Sequence, residues 1–448
     1  MKKIVYLLIA CSLTTISCNK DNDVASVNME VKSNEREVKS NEYDIALDLV
    51  KNFTNREHKV STYSKKRDLS NITVLNVKEN TFTYNVDEIL VGKVLTEEQR
   101  TSVEKTRNEK NTTDVTLFTI EFEKNGSKGF AITSGDERIT NVYAYTEEGS
   151  LADTSYILGL RAAIYDIQGA VRADLDSYYE NGENIRMRND IQLIETNKSG
   201  KVNTRHTTYP VQSGRLYAGP ITKLKWNQNS PYNKYAPSCT AMHWTYEGKA
   251  PSGCVGIACA QVIAFLCPPA ISGNYYLNSL REQYTFIEGT TNQSWADNLG
   301  GFIRNVATMV NTQYGCDGSS AKIKNIRDEF SSWGVYHTYV DGNLDLAKMA
   351  YNFMNGYPHI TEGVNKGTNK GHAWVWEGID CQVSYIDYNA KKIVISGSAL
   401  VYCNWGWGGT CNGWFANYED VTLPDGTYKR YIEDNEQIYI TGTSFVIP

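Results

Sequence analysis

The sequence has no excess of positive charge. Its 45 Lys and Arg residues stand against 51 Asp and Glu residues, and the net charge of -6 argues against a nucleic-acid partner. No internal repeat with a period of roughly 20–50 residues is visible, as solenoids and propellers would show. Hydrophobic residues make up 41% of the 448 positions, so we expect an ordinary globular protein of two domains.

Histidine and cysteine are scarce, and both are missing from much of the N-terminal half. Cysteine is absent between positions 19 and 238, and histidine between positions 59 and 205. We therefore see no catalytic set in this region. Ten cysteines in a chain of this length do not indicate a dense disulfide framework. Cys403 and Cys411 flank a tight Gly-rich loop, and we expect these two to form a disulfide.

The N-terminus has the pattern of an export signal. A basic start precedes a short apolar run, Ile4 to Ile16, which is too short for a stable membrane anchor. Ser17 before Cys18 resembles the cleavage site of a lipoprotein signal, and Cys11 is a weaker alternative. We predict a signal peptide over 1–17 and a lipid on Cys18. The protein would then be exported and held at the outer membrane or cell surface, and cleavage would release a mature form.

The region 43–182 is predicted to be a sheet-plus-helix domain, preceded by a flexible polar tether over 18–42. Apolar and polar residues alternate in its first strand, as they do in a half-buried strand. Asn125-Gly126 then gives a strong hairpin signal. The predicted strands of this antiparallel meander cover 114–123, 129–133 and 139–145.

One amphipathic helix is predicted after the meander. Apolar residues recur every three or four positions from Ile157 to Tyr178, which predicts a single apolar face. Asp153 or Thr154 is expected to cap its start, and Gly182 to end it. The segment 183–213 is polar with several basic residues, so we predict an exposed activation linker there.

The domain over 214–448 is organised around an apolar run that begins at Cys254 and ends before Pro268. This run predicts a buried helix with Ser252 as its N-cap. Cys254 would lie in the first turn, where the helix dipole favours a thiolate. Gly256, without a side chain, would keep that thiol approachable. A second interpretation is that Cys254 is simply one more buried cysteine.

Two further cysteines belong to the same predicted helix. Cys259 and Cys267 are eight residues apart, or roughly 12 Å along a helix, so they are too distant to form a disulfide. We expect both to be structural.

The candidate base and its supporting groups lie on both sides of Cys254 along the chain. His372 starts a predicted strand after a Gly/Asn-rich loop, which suits a side chain that faces a cleft. Asn404 is expected to accept the N–H of this imidazole, and Trp405 to shield the bond from water. Gln228, with the backbone N–H of Cys254, would stabilise an oxyanion. The alternatives are a structural histidine and a Gly/Trp turn without a role.

Five motifs carry a resemblance. They are Trp226-Asn227-Gln228-x-x-Pro231-Tyr232-Asn233, Gly253-Cys254-Val255 with Ala260-Gln261, Tyr314-Gly315 with Ser319-Ser320-Ala321, Gly371-His372-Ala373-Trp374-Val375, and Asn404-Trp405-Gly406-Trp407-Gly408-Gly409. In this order they resemble the streptopain family of bacterial cysteine peptidases (family C10). The first domain is similar to that family's inhibitory propeptide, above all at 129–136 and 143–149. Gly256 stands where the family usually has Ala, which bears on pocket shape.

The resemblance implies an α+β fold, with a papain-like cysteine peptidase domain preceded by an α+β inhibitory prodomain. It implies a secreted, monomeric cysteine endopeptidase, made as an inactive zymogen, that hydrolyses polypeptides through Cys254 and His372. Its own propeptide would be the intramolecular inhibitor, and no metal or cofactor would be needed. Two other interpretations remain open, namely a papain-fold acyltransferase or amidase and a non-catalytic surface binding protein.

Overall fold

The structure is a computed structural model that places part of the chain in detail. It describes residues 16–17, 40–59, 72–85, five positions between 97 and 105, 112–155, 157–184, 192–195, 214–240, 248–282, 293–335, 337–340, 345–365, 370–387, 392–418, 421–422, 428–429 and 438–446. Most of the predicted signal peptide, Cys18, most of the tether and most of the linker lie outside these ranges.

Along the chain, runs of strands are separated by runs of helices. The helices are α1 (Ser40–Lys59), α2 (Leu158–Tyr165), α3 (Ile167–Asn181), α4 (Cys254–Leu266), α5 (Pro269–Tyr275), α6 (Leu277–Glu282), α7 (Gln293–Met309), α8 (Arg327–Ser332) and α9 (Leu346–Met354). The earlier strands are β1 (Ile16–Ser17), β2 (Thr73–Asn85), β3 (Thr112–Lys124), β4 (Ser127–Ser134), β5 (Asn141–Thr146), β6 (Gln192–Glu195) and β7 (Gly214–Ala218). The later strands are β8 (Ser320–Ala321), β9 (His337–Val340), β10 (His359–Asn365), β11 (Gly371–Asp387), β12 (Lys392–Asn404), β13 (Gly413–Asn417), β14 (Val421–Thr422), β15 (Tyr428–Lys429) and β16 (Ile438–Val446).

A single sheet of 12 strands runs through both halves of the chain, and the fold is of the mixed α+β kind. Its main order is β2-β3-β4-β5-β13-β12-β11-β10-β16-β9, and β7 pairs with both β6 and β11. The junction between the halves is the antiparallel pair β5–β13, in which Tyr145 lies opposite Trp414. The two predicted domains are therefore joined by backbone hydrogen bonds.

Two hydrophobic cores lie on the two faces of this sheet. Side chains of a strand alternate between faces, so Trp374 and Trp376 of β11 enter one core while Ala373 and Val375 enter the other. The first core holds residues of α1, α2, α3 and α9, and the second holds residues of α4 and α7. Because helices cover both faces, the first thirteen residues of β11 are all buried.

The N-terminal meander is confirmed, with additions. Asn125 and Gly126 both have positive φ, 52° and 84°, as the two-residue hairpin turn between β3 and β4 requires. Two elements were not predicted. Strand β2 adds a fourth strand beside β3, and α1 begins at Ser40, so it includes the last three residues of the predicted tether.

The predicted single amphipathic helix is two helices, because the chain turns at Asp166 between α2 and α3. Neither expected cap is used: the N-cap of α2 is Ile157, without a side-chain hydrogen bond. Asp153 instead accepts the N–H of Ser150 at 2.7 Å and caps a preceding 3₁₀ turn. Gly182 ends α3 in the left-handed conformation as predicted.

A buried carboxylate fastens α3 to the sheet across the junction. Asp174 accepts the backbone N–H of Ser398 on β12 at 2.6 Å, and also its hydroxyl at 3.1 Å. It accepts two further hydrogen bonds from β5, from the side chains of Asn141 and Tyr143, each at 3.0 Å. These bonds join both halves of the chain in one buried network, in which each donor depends on the same carboxylate.

The segment predicted as a linker contains strand β6, which pairs in parallel with β7.

No single helix in the described ranges is long and apolar enough to cross a membrane. Helices α4 and α5 reach that length and hydropathy only when they are taken together, and the chain bends by 106° between them. Across the same ranges, no three His, Cys, Asp or Glu side chains cluster as a metal site would require.

Candidate active site

Helix α4 begins at Cys254, as predicted, but the cap is different. The N-cap is Gly253 with φ of 84°, a conformation that favours glycine. A Cβ at this position would lie 3.2 Å from the Cβ of Ser319, so the chain is also tightly enclosed there. The Ser252 hydroxyl donates to the carbonyl of Tyr232 at 2.8 Å, so the prediction that it caps the helix is wrong.

Cys254 is 1% exposed and occupies the first position of α4. Its backbone N–H therefore belongs to the first turn of the helix, where the helix dipole stabilises a negative charge. The sulfur is disulfide-bonded in this structure. A nucleophilic thiolate at this position accordingly requires prior reduction.

The proposed reason for Gly256 does not hold. A Cβ at this position would contact Ala307 of α7 at 3.6 Å, which is an ordinary packing distance. Gly256 thus faces a neighbouring helix, and an alanine would fit there without displacing anything.

Cys259 and Cys267 do not form a disulfide with each other, as predicted. Cys259 is completely buried, and burial raises the pKa of its thiol far above the usual range. Cys267 follows the last residue of α4 in the left-handed conformation and is not in a disulfide.

The expected Cys403–Cys411 disulfide is wrong, because both cysteines are free. The two thiols have different neighbours. Cys403 interacts with Trp376 and Glu377, and burial raises the pKa of its thiol. The Sγ of Cys411 lies 3.4 Å from the carboxylate of Asp153. Among the described residues, a disulfide joins Cys239 to Cys316, with a Cα–Cα distance of 5.7 Å.

Gln228 is completely buried, and neither its amide nitrogen nor its amide oxygen has a hydrogen-bond partner among the described residues. Its backbone is held next to the nucleophile, because its carbonyl accepts the N–H of Ser252 at 3.1 Å, two residues before Cys254. A buried amide without a partner is costly, typically about 1–3 kcal/mol. Such a group suits a site where a partner arrives with the substrate.

His372 is 2% exposed and starts β11 as predicted. Its Nε2 lies 2.9 Å from the carbonyl oxygen of Trp405. A carbonyl only accepts, so Nε2 carries the proton and Nδ1 is the nitrogen able to take one from a thiol. Burial lowers the pKa of His372 to about 4, although the bond to Trp405 acts in the opposite direction. The rings of Trp374 and Trp407 lie nearly parallel to the imidazole.

Asn404 is completely buried, but its hydrogen bonds go elsewhere than to the imidazole. Its amide donates to the carbonyl of Leu224 at 2.6 Å and to Gln261 at 3.1 Å. Its oxygen accepts the N–H of Gly406 at 3.2 Å. The structure thus gives the role of imidazole acceptor to the backbone of the next residue, Trp405.

The N-terminal half covers this site. A Cβ on Gly159 of α2 would lie 2.5 Å from the Trp405 ring and 3.1 Å from Cδ2 of His372. Only a residue without a side chain lets α2 approach so closely. The indole of Trp405 donates to the carbonyl of Cys411 at 2.8 Å, and the backbone N–H of Cys411 donates to Glu148 at 2.7 Å. Glu148 and Gly159 therefore bring the N-terminal half against Cys411, Trp405 and His372.

We predict that protonation of His372 destabilises the intact chain. The pKa of an unfolded histidine is about 6.5, whereas the pKa of His372 in the folded chain is about 4. The unfolded state therefore binds the extra proton first, and stability falls as the pH drops from about 6.5 to about 4. The measurement is urea unfolding of the full chain with Cys254→Ala, at several pH values in that window.

The control is the same chain with His372→Gln. Burial also lowers the pKa of His359, to about 3, and raises that of Glu377, which acts in the opposite direction. Both groups remain in the control, so the difference between the two chains isolates His372. An equal loss of stability in both would contradict this prediction.

Comparison with known proteins finds sequences similar to this chain. Residues 226–415 match the model of the Peptidase C10 family. Streptopain of Streptococcus pyogenes serotype M1 is 23% identical over 326 residues, which cover 64% of this chain and 71% of that protein. Another streptopain of Streptococcus pyogenes has the same identity and coverage. Residues 226–415 are thus similar to the Peptidase C10 family of cysteine peptidases, and the chain is distantly similar to streptopain.

Proposed function

We propose that this protein is an exported cysteine endopeptidase that is made as an inactive zymogen. The observation that carries the proposal is the contact of Gly159 with His372 and Trp405, because it places the N-terminal half directly on the proposed catalytic base. The completely buried amide of Gln228 beside the start of α4 supports the same interpretation.

The proposed reaction is acyl transfer from a peptide to water. The reduced Cys254 thiolate attacks the scissile carbonyl carbon, and the protonated imidazole of His372 gives its proton to the leaving amine. The neutral imidazole then takes a proton from the water that attacks the thioester, and the acid product leaves. Gln228 Nε2 and the backbone N–H of Cys254 donate to the oxyanion in both steps.

Inhibition results from the burial of this site. A thiolate needs a cationic imidazolium beside it, but burial lowers the pKa of His372 to about 4 and so opposes that charge at neutral pH. Helix α2 would also block substrate access to His372. Removal of the N-terminal half would expose the imidazole to water, which returns its pKa towards the usual value. We propose a cleavage between about 185 and 215, within the predicted linker.

The first expected outcome concerns the nucleophile. Cys254→Ala should lower peptide hydrolysis by at least about 10³-fold, because the residual reaction lacks covalent catalysis. Cys259→Ala, on the same helix, should retain activity, since that thiol is completely buried. Both are assayed with a peptide substrate under reducing conditions. An active Cys254→Ala enzyme would refute the proposal, and product formed only with an added amine would favour the acyltransferase.

A second outcome concerns the inhibitory contact. Gly159→Leu forces a side chain against Trp405 and should loosen α2, so that the uncleaved chain reacts with an active-site-directed epoxide. Gly273→Leu is the matched control, because nothing lies within 4 Å of a Cβ there. The readout is epoxide on the full-length band after a short exposure. Equal labelling of the two variants, or full activity of the uncleaved wild-type chain, would argue against a zymogen.

The proposed location rests on the N-terminal sequence, with a signal over 1–17 and a lipid on Cys18. Cells grown with labelled palmitate should incorporate the label into the full-length protein, and Cys18→Ala should abolish it. Cys11→Ala should leave incorporation unchanged. Labelling that survives Cys18→Ala would contradict the lipid site. Cleavage in the linker would release the peptidase domain from this anchor.

A further inference from the structure

The segment 222–228 leads to Gln228 and lies outside every strand, yet three buried side chains hold its backbone. Glu377 accepts the N–H of Thr222 at 2.6 Å. Asn404 donates to the carbonyl of Leu224 at 2.6 Å. Gln261 accepts the N–H of Trp226 at 3.2 Å. The bonded backbone groups thus recur at every second residue, as in a strand that pairs with a neighbour.

The next residue in this series is Gln228. We propose that Glu377, Asn404 and Gln261, named here the polar ladder, are positioning residues that aim the Gln228 amide at the oxyanion. The ladder takes the place of a missing neighbouring strand. The inference rests on the proposed role of Gln228 as oxyanion donor.

The ladder is needed because Gln228 has no side-chain bond of its own. Both polar atoms of its amide are buried without a partner, so its direction is set by backbone position and packing alone. The carbonyls of the same segment are also held: Gly408 N–H donates to Trp226 at 3.0 Å, and Ser252 N–H donates to Gln228 at 3.1 Å. A displacement of about 1 Å at such a donor is enough to cost about 10²-fold in rate.

The three members also bind one another, and each comes from a different element of the site. The Asn404 amide lies 3.1 Å from the Gln261 oxygen and 3.5 Å from the Glu377 carboxylate. Gln261 lies on α4, the helix that starts at Cys254, and Glu377 lies on β11, the strand that starts with Gly371-His372. Each is at most 1% exposed. The ladder therefore fixes the oxyanion donor relative to nucleophile and base at once.

A double-mutant cycle separates positioning from general stabilisation. Gln261→Met keeps the size of the side chain and removes its acceptor, and should lower kcat by about 10–100-fold with KM within about 2-fold. Gln228→Ala should lower kcat by about 10²–10³-fold. Adding Gln261→Met to Gln228→Ala should lower kcat by no more than about 3-fold further. The matured enzyme is used, with active sites counted by epoxide.

Gln261→Glu is the conservative control. Glutamate keeps an acceptor oxygen for the N–H of Trp226, and the Gln261 nitrogen that it replaces has no hydrogen-bond partner among the described residues. Its kcat should stay within about 5-fold of wild type. If Gln261→Met does not fold, the cycle is run with Glu377→Gln in its place. This variant puts an NH₂ group beside the donors of Thr222 and Asn404, and its loss of kcat should also be non-additive with that of Gln228→Ala. Losses that multiply with that of Gln228→Ala would overturn the inference.

Alkylation of Cys254 by iodoacetamide distinguishes this failure from failure of the proposed function. Alkylation needs a reactive thiolate but no oxyanion donor, so its rate should be the same in wild type, Gln261→Met and Gln228→Ala. If wild type is alkylated and hydrolyses peptide normally, but the effects of Gln261→Met and Gln228→Ala on kcat are additive in free energy, only the positioning role of the polar ladder is refuted. A wild-type chain that is alkylated but hydrolyses no peptide would refute the proposed function, and the ladder with it.

Discussion

The pairing of β5 with β13 is the interaction on which the rest of this structure depends. It continues one sheet from the N-terminal half into the peptidase domain. Once these strands are joined, α2 is carried onto His372, and Gly159 is the residue that permits the contact. Helix α2 contributes to the burial that lowers the pKa of this histidine, whereas its tautomer is set by the carbonyl of Trp405.

Local patterns predicted local structure well. Alternation over 114–123, the Asn125-Gly126 turn and the glycine at 182 each depend on neighbours in sequence, and each was confirmed. Long-range contacts leave no such signal. The β5–β13 pair, and a disulfide between Cys239 and Cys316 that are 77 positions apart, depend on topology. Cys403 and Cys411 are close in sequence but their side chains have different neighbours, so sequence proximity led to a wrong disulfide prediction.

The candidate nucleophile Cys254 and the candidate base His372 could be proposed from the sequence because cysteine and histidine are scarce and both residues stand where a helix or strand was predicted to begin. Their partners could not, because hydrogen bonds in a buried network depend on angles that spacing does not fix. Asn404 was expected to orient His372, whereas the neighbouring backbone carbonyl takes that bond and Asn404 turns to Leu224. Gln261 looked like an ordinary residue of an apolar helix, and only its position opposite Trp226 reveals its polar contact.

Maturation would also open the β5–β13 junction. When the N-terminal half departs, β13 loses the partner that satisfies its outward backbone groups, and it becomes a bare edge strand. The ring of Trp414, now completely buried between Phe53 and Tyr217, loses its cover on one side. The liberated fragment carries the matching edge on β5. The proposed activation would therefore expose two complementary strand edges at once, and the lifetime of the free enzyme would depend on how quickly that fragment is degraded or diluted.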